Sequence, residues 1–224
     1  MPAEPGAAAG KPSRTPAVRT NKNGQQLGRK GIETRQRLMD ATRRLLVTIS
    51  PFNLTAMLVT KEARTAPATF YVYFDDMQDL LYALCAETGG EMVDLFENDR
   101  LLREPARMEQ DALAFVQAFN RVWDRHSNIL LYRNLEADRG DVRFDKLRTE
   151  AAIPTLDALA ERLTAAYPAE ARPRRAAIYA EAVVFFVAME RLAAAVHQYP
   201  GEGLSTKDLI EAQARVLVRL LAPR

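Results

Sequence analysis

"EARTAPATFYVYFDDMQDLL", residues 62–81, places four aromatic side chains, Phe70, Tyr71, Tyr73 and Phe74, within five positions and follows them with two aspartates. A β-strand, a core helix and a helix that reads nucleic acid all tolerate such a cluster, so its surroundings must separate them. Pro67 suits the first position of a helix, where its missing N–H has no intrahelical acceptor. On a helix begun there, Phe70 and Phe74 stand four apart on one face and can plug a small core. Thr69, Tyr71, Val72 and Tyr73 lie around the other sides, where a hydroxyl or an aromatic edge can meet a phosphate or a base. Asp75 is placed to stop this helix and cap the next, with Gln78 three residues on as in a capping box.

Upstream, Ile32, Leu38, Met39, Ala41, Thr42, Leu45, Leu46 and Ile49 keep an apolar stripe near the 3.6-residue period, which predicts a helix over 32–48. Ser50-Pro51 ends it, because proline disfavours a helical residue before it. Leu54, Met57, Leu58 and Ala63 mark a short second helix that Thr55 can cap, and Arg64-Thr65 interrupts it. Three short helices, the last two joined by a tight turn, form a helix-turn-helix layout whose final member enters the major groove.

"TRQRLMDATRRLL" (34–46), "LTAMLVTKEARTAPATFYVYF" (54–74) and "DDMQDLLYAL" (75–84) together resemble the tetracycline-repressor (TetR) family of bacterial transcription regulators. The likeness covers residues 32–84 and implies that residues 55–74 are the DNA-binding element. The candidate contacts are Arg29, Lys30, Arg35, Thr55, Lys61, Arg64, Pro67, Ala68, Thr69, Tyr71, Val72 and Tyr73. Three positions depart from the family pattern. Arg64 stands where a glycine usually ends the second helix in a left-handed turn, and Ala66 stands where a Ser or Thr cap is common. Met77, beside Asp75 and Asp76, replaces a phosphate-contacting lysine. The domain body is therefore expected to grip DNA weakly.

The compensating charge lies at the start of the chain. Residues 1–31 carry Lys11, Arg14, Arg19, Lys22, Arg29 and Lys30 against Glu4 alone, a local +5 in a chain of net +2, so the remainder is near −3. Rich in Pro, Gly, Ala and Asn, this segment cannot bury enough apolar surface to fold alone. It is either a solvated tail or a basic arm that contacts phosphates or enters a minor groove.

Beyond Asp76 the pattern remains helical: 76–96, Glu104–Arg125, Asn128–Asp138, Asp145–Tyr167, Arg174–Gln198 and Thr206–Leu221, with Pro105, Gly140, Pro168, Pro173, Pro200 and Gly201 between them. Ser205 with Asp208 is a helix-start signature. The fold class is all-α: a flexible arm over 1–31, a three-helix DNA-binding domain over 32–76, and an all-helical ligand-binding and dimerisation domain over 77–224. "RAAIYAEAVVFFVAMERLAAAVHQY" is apolar around most of its circumference, more than one internal contact needs. Burial inside the monomer is one reading; the resemblance implies the other, a homodimer through the last two helices on a palindromic operator. It also implies a ligand cavity. Candidate lining residues are Met92, Phe96, Phe115, Phe119, Trp123, Tyr132, Phe144, Phe185 and Met189, suited to an apolar or aromatic molecule; each also fits plain core packing.

Catalysis finds no support. The chain has no G-x-S-x-G, P-loop, G-x-G-x-x-G or H-E-x-x-H, its two histidines fall near predicted helix ends, and Cys85 stands alone, without zinc-ligand spacing. No cofactor is expected. No apolar run approaches the roughly 18–20 residues that span a bilayer, and the near absence of cysteine suits a reducing, cytoplasmic setting. The expected function is a dimeric DNA-binding repressor released by a small effector. The alternative is an all-helical small-molecule-binding or interaction module whose helix-turn-helix no longer binds DNA.

Overall fold

Leu38, Met39, Ala41, Thr42 and Leu46 recur at helical spacing along α1 (Arg29–Leu46) and form its buried face, while arginines occupy the sides. The computed structural model describes residues 26–93, 102–195 and 203–223. A 3-10 turn at Pro51–Asn53 leads into α2 (Ala56–Glu62) and α3 (Pro67–Tyr73), which complete the N-terminal reader. Then follow α4 (Met77–Val93), α5 (Met108–Asp138), α6 (Val142–Ala166), α7 (Arg175–Ala195) and α8 (Thr206–Leu221). Among the described residues the architecture is all-α.

Local chemistry fixes most helix starts. Thr55 caps α2, its hydroxyl oxygen accepting from the Leu58 N–H at 3.2 Å, and Pro67 opens α3. Asp141 caps α6 by accepting from the Arg143 N–H at 2.9 Å. At α8, Ser205 and Asp208 form a complete capping box. The cap of α4 differs from expectation. Asp76, not Asp75, accepts from the Asp79 N–H at 2.8 Å, and Asp79 in turn accepts from the Asp75 N–H at 3.2 Å. Gln78 is thereby free to reach across and donate to Glu136 of α5 at 3.1 Å.

Other boundaries shift for identifiable reasons. The first helix begins at Arg29 rather than Ile32, with Gly28 as its N-cap. The two helices expected over 104–125 and 128–138 are one 31-residue helix, α5, which leaves helical geometry only at His126 (φ −120°, ψ 18°). The break falls where the sequence placed a gap, but the chain kinks there rather than looping out. Pro105 heads a 3-10 turn instead of the helix itself. Gly140 takes φ +96° between α5 and α6, a conformation that costs a glycine little. Pro154 lies inside α6 without ending it.

Two cores result. Leu38, Val59, Phe70, Phe74, Leu80 and Leu84 unite α1–α3 with α4 and the part of α5 beyond the kink. Phe115, Phe119, Trp123, Leu163, Phe185, Met189 and Leu217 unite the first part of α5 with α6, α7 and α8. At about 1.5 Å per residue, α5 extends over roughly 46 Å and belongs to both. No helix among the described residues is long and apolar enough to cross a membrane.

The junction core predicts an alkaline weakness. Burial holds the Cys85 thiol and the Tyr132 phenol well up, each to about 12. Unfolding releases both protons at lower pH, so between about pH 9 and 12 the unfolded chain binds fewer protons than the folded one. Stability is full below that window and falls through it, by on the order of 1 kcal/mol per pH unit from Cys85, with a smaller part from Tyr132 above its ordinary value of 10.0. Urea midpoints at pH 8, 9.5 and 11 test this, and Cys85→Ala is expected to flatten the decline.

Candidate nucleic-acid interface and ligand cavity

α2 packs on both α1 and α3, and the turn between α2 and α3 sets the angle of the exposed helix. The Thr65 N–H donates to the Thr60 carbonyl at 2.9 Å and the Arg64 N–H to the Lys61 carbonyl at 3.2 Å. This is the double hydrogen-bond pattern of a Schellman motif, and Arg64 at its centre has φ +53°. α3 then divides by face. Phe70 and Phe74 are buried, their rings 5.7 Å apart, while Tyr71 and Val72 are 53% and 47% exposed. Pro67 and Ala68 are exposed, Thr69 is half-buried, and Tyr73 leans partly on the core.

The basic candidates separate as clearly. Arg29 and Lys30 are exposed on the first turn of α1, where the Gly28 cap offers no side-chain acceptor to the terminal N–H groups. Cations and free N–H groups together favour an anion there. Among the described residues Arg29 pairs with Glu33, at 3.5 Å and exposed. Lys61 and Arg64 project into solvent, as does Thr55. Arg35 departs from the expected set. Its guanidinium lies 5.0 Å from the centre of the Phe74 ring and donates to Met39 Sδ, and burial lowers its pKa from the ordinary arginine value. Arg35 holds the end of α3 against α1 rather than reaching outward.

Several long-range contacts clamp the reader to the body. Arg43 of α1 pairs with Glu87 of α4, and Asn128, just past the α5 kink, donates to the Leu46 carbonyl at 2.5 Å. Phe52 meets Tyr132 at a tilt, ring centres 5.4 Å apart, Tyr132 meets Phe144 edge-on at 5.6 Å, and Phe144 meets Tyr82 edge-on at 5.5 Å. Tyr132 and Phe144, two of the candidate ligand-lining residues, therefore belong to this junction and not to the interior of the body. Beyond the kink at His126 one side of α5, carrying Ile129 and Tyr132, packs against the reader and α4, while Leu130 remains in the body core.

Phe115, Phe119, Trp123, Phe185 and Met189 do come together in the body core. Phe96 lies outside the described residues, and so does the side chain of Met92. The Trp123 indole N–H and the Asn120 Oδ1, one helical turn apart and both buried, have no hydrogen-bond partner among the described residues. Each orphaned atom costs about 1–3 kcal/mol. A donor and an acceptor are thus available to a polar guest. Close by in the fold, Phe119, Arg133, Arg148, Phe186 and Glu190 surround a cavity of ≈ 10 Å³. Sequence reasoning missed Arg133 and Glu190, which lie 57 residues apart and meet only through the packing of α5 on α7. Larger grooves of ≈ 480 Å³ run along α5 and α8 and carry both charged and apolar side chains, including Leu113, Glu211, Ala214 and Val218.

A family model described as the C-terminal domain of tetracyclin repressor-like proteins matches residues 103–221. The chain belongs to the TetR family. No curated protein matches the sequence significantly. Solved structures supply the fold. A TetR-family regulator from Mesorhizobium loti has 14% identity and a TM-score of 0.62, covering 87% of this chain and 97% of its own. FadR from Bacillus subtilis, in complex with stearoyl-CoA, has 16% identity, a TM-score of 0.58 and coverage of 84% and 97%. Reduced NemR from Escherichia coli has 14% identity, a TM-score of 0.58 and coverage of 86% and 100%. The Mesorhizobium loti protein and FadR are transcriptional regulators.

Against the TetR pattern, Arg64 keeps the left-handed turn that glycine usually supplies, at a cost of roughly 1 kcal/mol. Arg64→Gly is expected to raise thermal stability by up to about 1 kcal/mol, read as a higher urea midpoint at unchanged slope. If Arg64 also touches a phosphate, the same variant loses about one unit in the slope of log K against log salt. The N-terminus of α3 has no side-chain cap, since Ala66 carries no acceptor, and Pro67 alone pre-sets its first turn. Met77 packs against the reader core and adds no charge.

Proposed function

We propose that this TetR-family chain is a dimeric transcriptional repressor that binds a palindromic operator and is released by a small apolar or aromatic effector. The observation that carries this reading is the division of α3, with Phe70 and Phe74 anchoring it while Tyr71 and Val72 face outward. Thr55, Lys61, Arg64, Thr69 and Tyr73 are offered as flanking contacts, and Arg29 and Lys30 as phosphate contacts that the basic arm extends. Two copies join through α7 and α8, where Val184, Val187 and Val216 are 71%, 55% and 49% exposed. The two-fold axis then sets half-sites about one helical turn, or a multiple of it, apart.

Release runs through α4. Its Cys85 thiol donates to the Ile129 carbonyl at 3.6 Å, and its Glu87 holds Arg43, so movement of α5 or α4 is felt by the reader. An effector achieves this only by binding one arrangement more tightly than the other, and about 5.5 kcal/mol takes the population from 99:1 to 1:99. The effector is placed in the apolar core around Phe115, Phe119, Trp123, Phe185 and Met189. FadR, whose neighbouring fold holds stearoyl-CoA, is a precedent for a long apolar guest.

Fluorescence anisotropy with duplex from the chain's own upstream region tests the reading. Tyr71→Ala is expected to weaken specific binding roughly 10- to 100-fold while leaving the melting temperature nearly unchanged. A second reading, a helical module with a DNA-incompetent reader, is favoured by the exposed Asp75 and Asp76 just after α3 and by the uncapped start of that helix. Binding no better than to random duplex for the unaltered protein would decide for that module.

A further inference from the structure

Arg133 of α5 is only 2% exposed; Asp111, Asn120, Thr155, Arg162 and Gln213 of the body are buried as well, and Arg133 is the most deeply buried of its charged groups. Its Nη2 donates to Glu190 Oε1 of α7 at 2.9 Å, and its Nε and Nη2 donate to Asn134 Oδ1 at 3.1 and 2.9 Å. The pair is single-pronged, whereas a guanidinium and a carboxylate bind most strongly through two parallel hydrogen bonds. Burial works against the charge of Arg133, and Glu190 is its principal offset. The nearby Arg148 is engaged elsewhere, by Asp138 at 2.6 Å and Asp145 at 2.8 Å. Stability gives no reason for such an arrangement, since apolar residues of similar volume serve a core as well or better.

The pair borders the ≈ 10 Å³ cavity, room for about one water, and the edge-to-face contact of Phe119 with Phe186 at 6.0 Å encloses it. α4 comes close at Gly89, where an added Cβ would lie 3.6 Å from Cβ of Ala151, another lining residue. The charge of Arg133 also acts on Cys85 of α4. A buried cation, a separable aromatic pair and the helix that carries the reader thus adjoin one small space.

We propose that Arg133 is the anion anchor of the effector site, and that the effector is an apolar molecule bearing a carboxylate. The carboxylate takes the place of Glu190 on the guanidinium while the apolar chain parts Phe119 from Phe186. Losing Arg133 frees Glu190, loosens α7 from α5 and alters the packing beside α4. This rests on the reading that the body binds an effector.

The test uses two probes with the same alkyl chain, decanoate and decan-1-ol, titrated at pH 7 into the intact protein. Binding is followed by the emission of Trp123, the single tryptophan, and by thermal shift. Decanoate is expected to bind at least about 10-fold more tightly than the alcohol. In the Arg133→Met/Glu190→Met double variant, which leaves no buried charge orphaned, the two probes are expected to bind alike. Glu190→Gln is expected to bind decanoate about 10-fold more tightly than the unaltered protein, because a neutral amide competes poorly for Arg133. A purely structural pair would change melting temperature in these variants without moving the ratio of the two affinities. Equal binding of both probes to the unaltered protein, or a preference that survives the double variant, overturns the anchor while leaving an apolar receptor standing. If neither probe changes emission or melting, the anchor and the effector reading fall together. Should the double variant fail to fold, Glu190→Gln decides alone, and no gain for decanoate overturns the proposal.

Discussion

A Val184→Asp/Val187→Asp double variant is expected to elute as a monomer and to lose operator affinity by about 100-fold or more. Both side chains project from one side of α7, at 71% and 55% exposure, while Ile178, Ala182, Phe185, Phe186 and Met189 fill its other side. An aspartate on an exposed position of the monomer changes its stability by only about 0.5 kcal/mol. Two buried at a two-fold interface meet two more from the partner and lose their hydration. The loss on DNA follows from valency, because a palindrome is held tightly only when both half-sites are engaged by linked readers. Light scattering, circular dichroism and anisotropy on the same sample separate the cases. A variant that remains dimeric and keeps its operator affinity would move the interface away from α7.

The second large effect is expected at Phe70. Its side chain is fully buried between α3 and the remainder of the reader, in ring contact with Phe74 and Tyr71. Phe70→Ala removes that anchor and leaves a cavity, at a cost of about 3–5 kcal/mol. That is a large share of the roughly 5–15 kcal/mol that holds a domain folded, and it falls on the side chain that seats α3. DNA binding is expected to vanish, while the emission of Trp123, buried in the separate body core, is retained. Urea titration followed by Trp123 and by far-ultraviolet dichroism then gives two transitions where the unaltered protein gives one. A single transition at the original midpoint would show that α3 does not depend on Phe70.

What could be read in the sequence was what local physics decides. Thr55 before a short apolar segment, Pro67 at a helix start and Ser205 with Asp208 each satisfy backbone groups within a few residues, so α2, α3 and α8 begin where predicted. The four-residue spacing of Phe70 and Phe74 determined which side of α3 is buried and left Tyr71 and Val72 outside. Even the gap at His126 was visible as a break in the pattern, although its form, a kink within one long helix, was not.

The ligand-lining set shows the limit. Phe119, Tyr132 and Phe144 are chemically equivalent as apolar side chains on predicted helices, and nothing local distinguishes them. Which core each one enters depends on Phe52 and Tyr82 arriving from distant elements. Arg35 is similar: an arginine on the polar side of a helix reads as a DNA contact until Phe74 closes over it. By itself the sequence determined the helices, their caps, the buried side of the reading helix and the kinship that follows from them, because these depend on spacing along one chain. The tertiary structure alone decided the clamp between reader and body, the Arg133–Glu190 pair and the division of the aromatic residues between two cores, because each requires residues some 40 to 80 positions apart to meet.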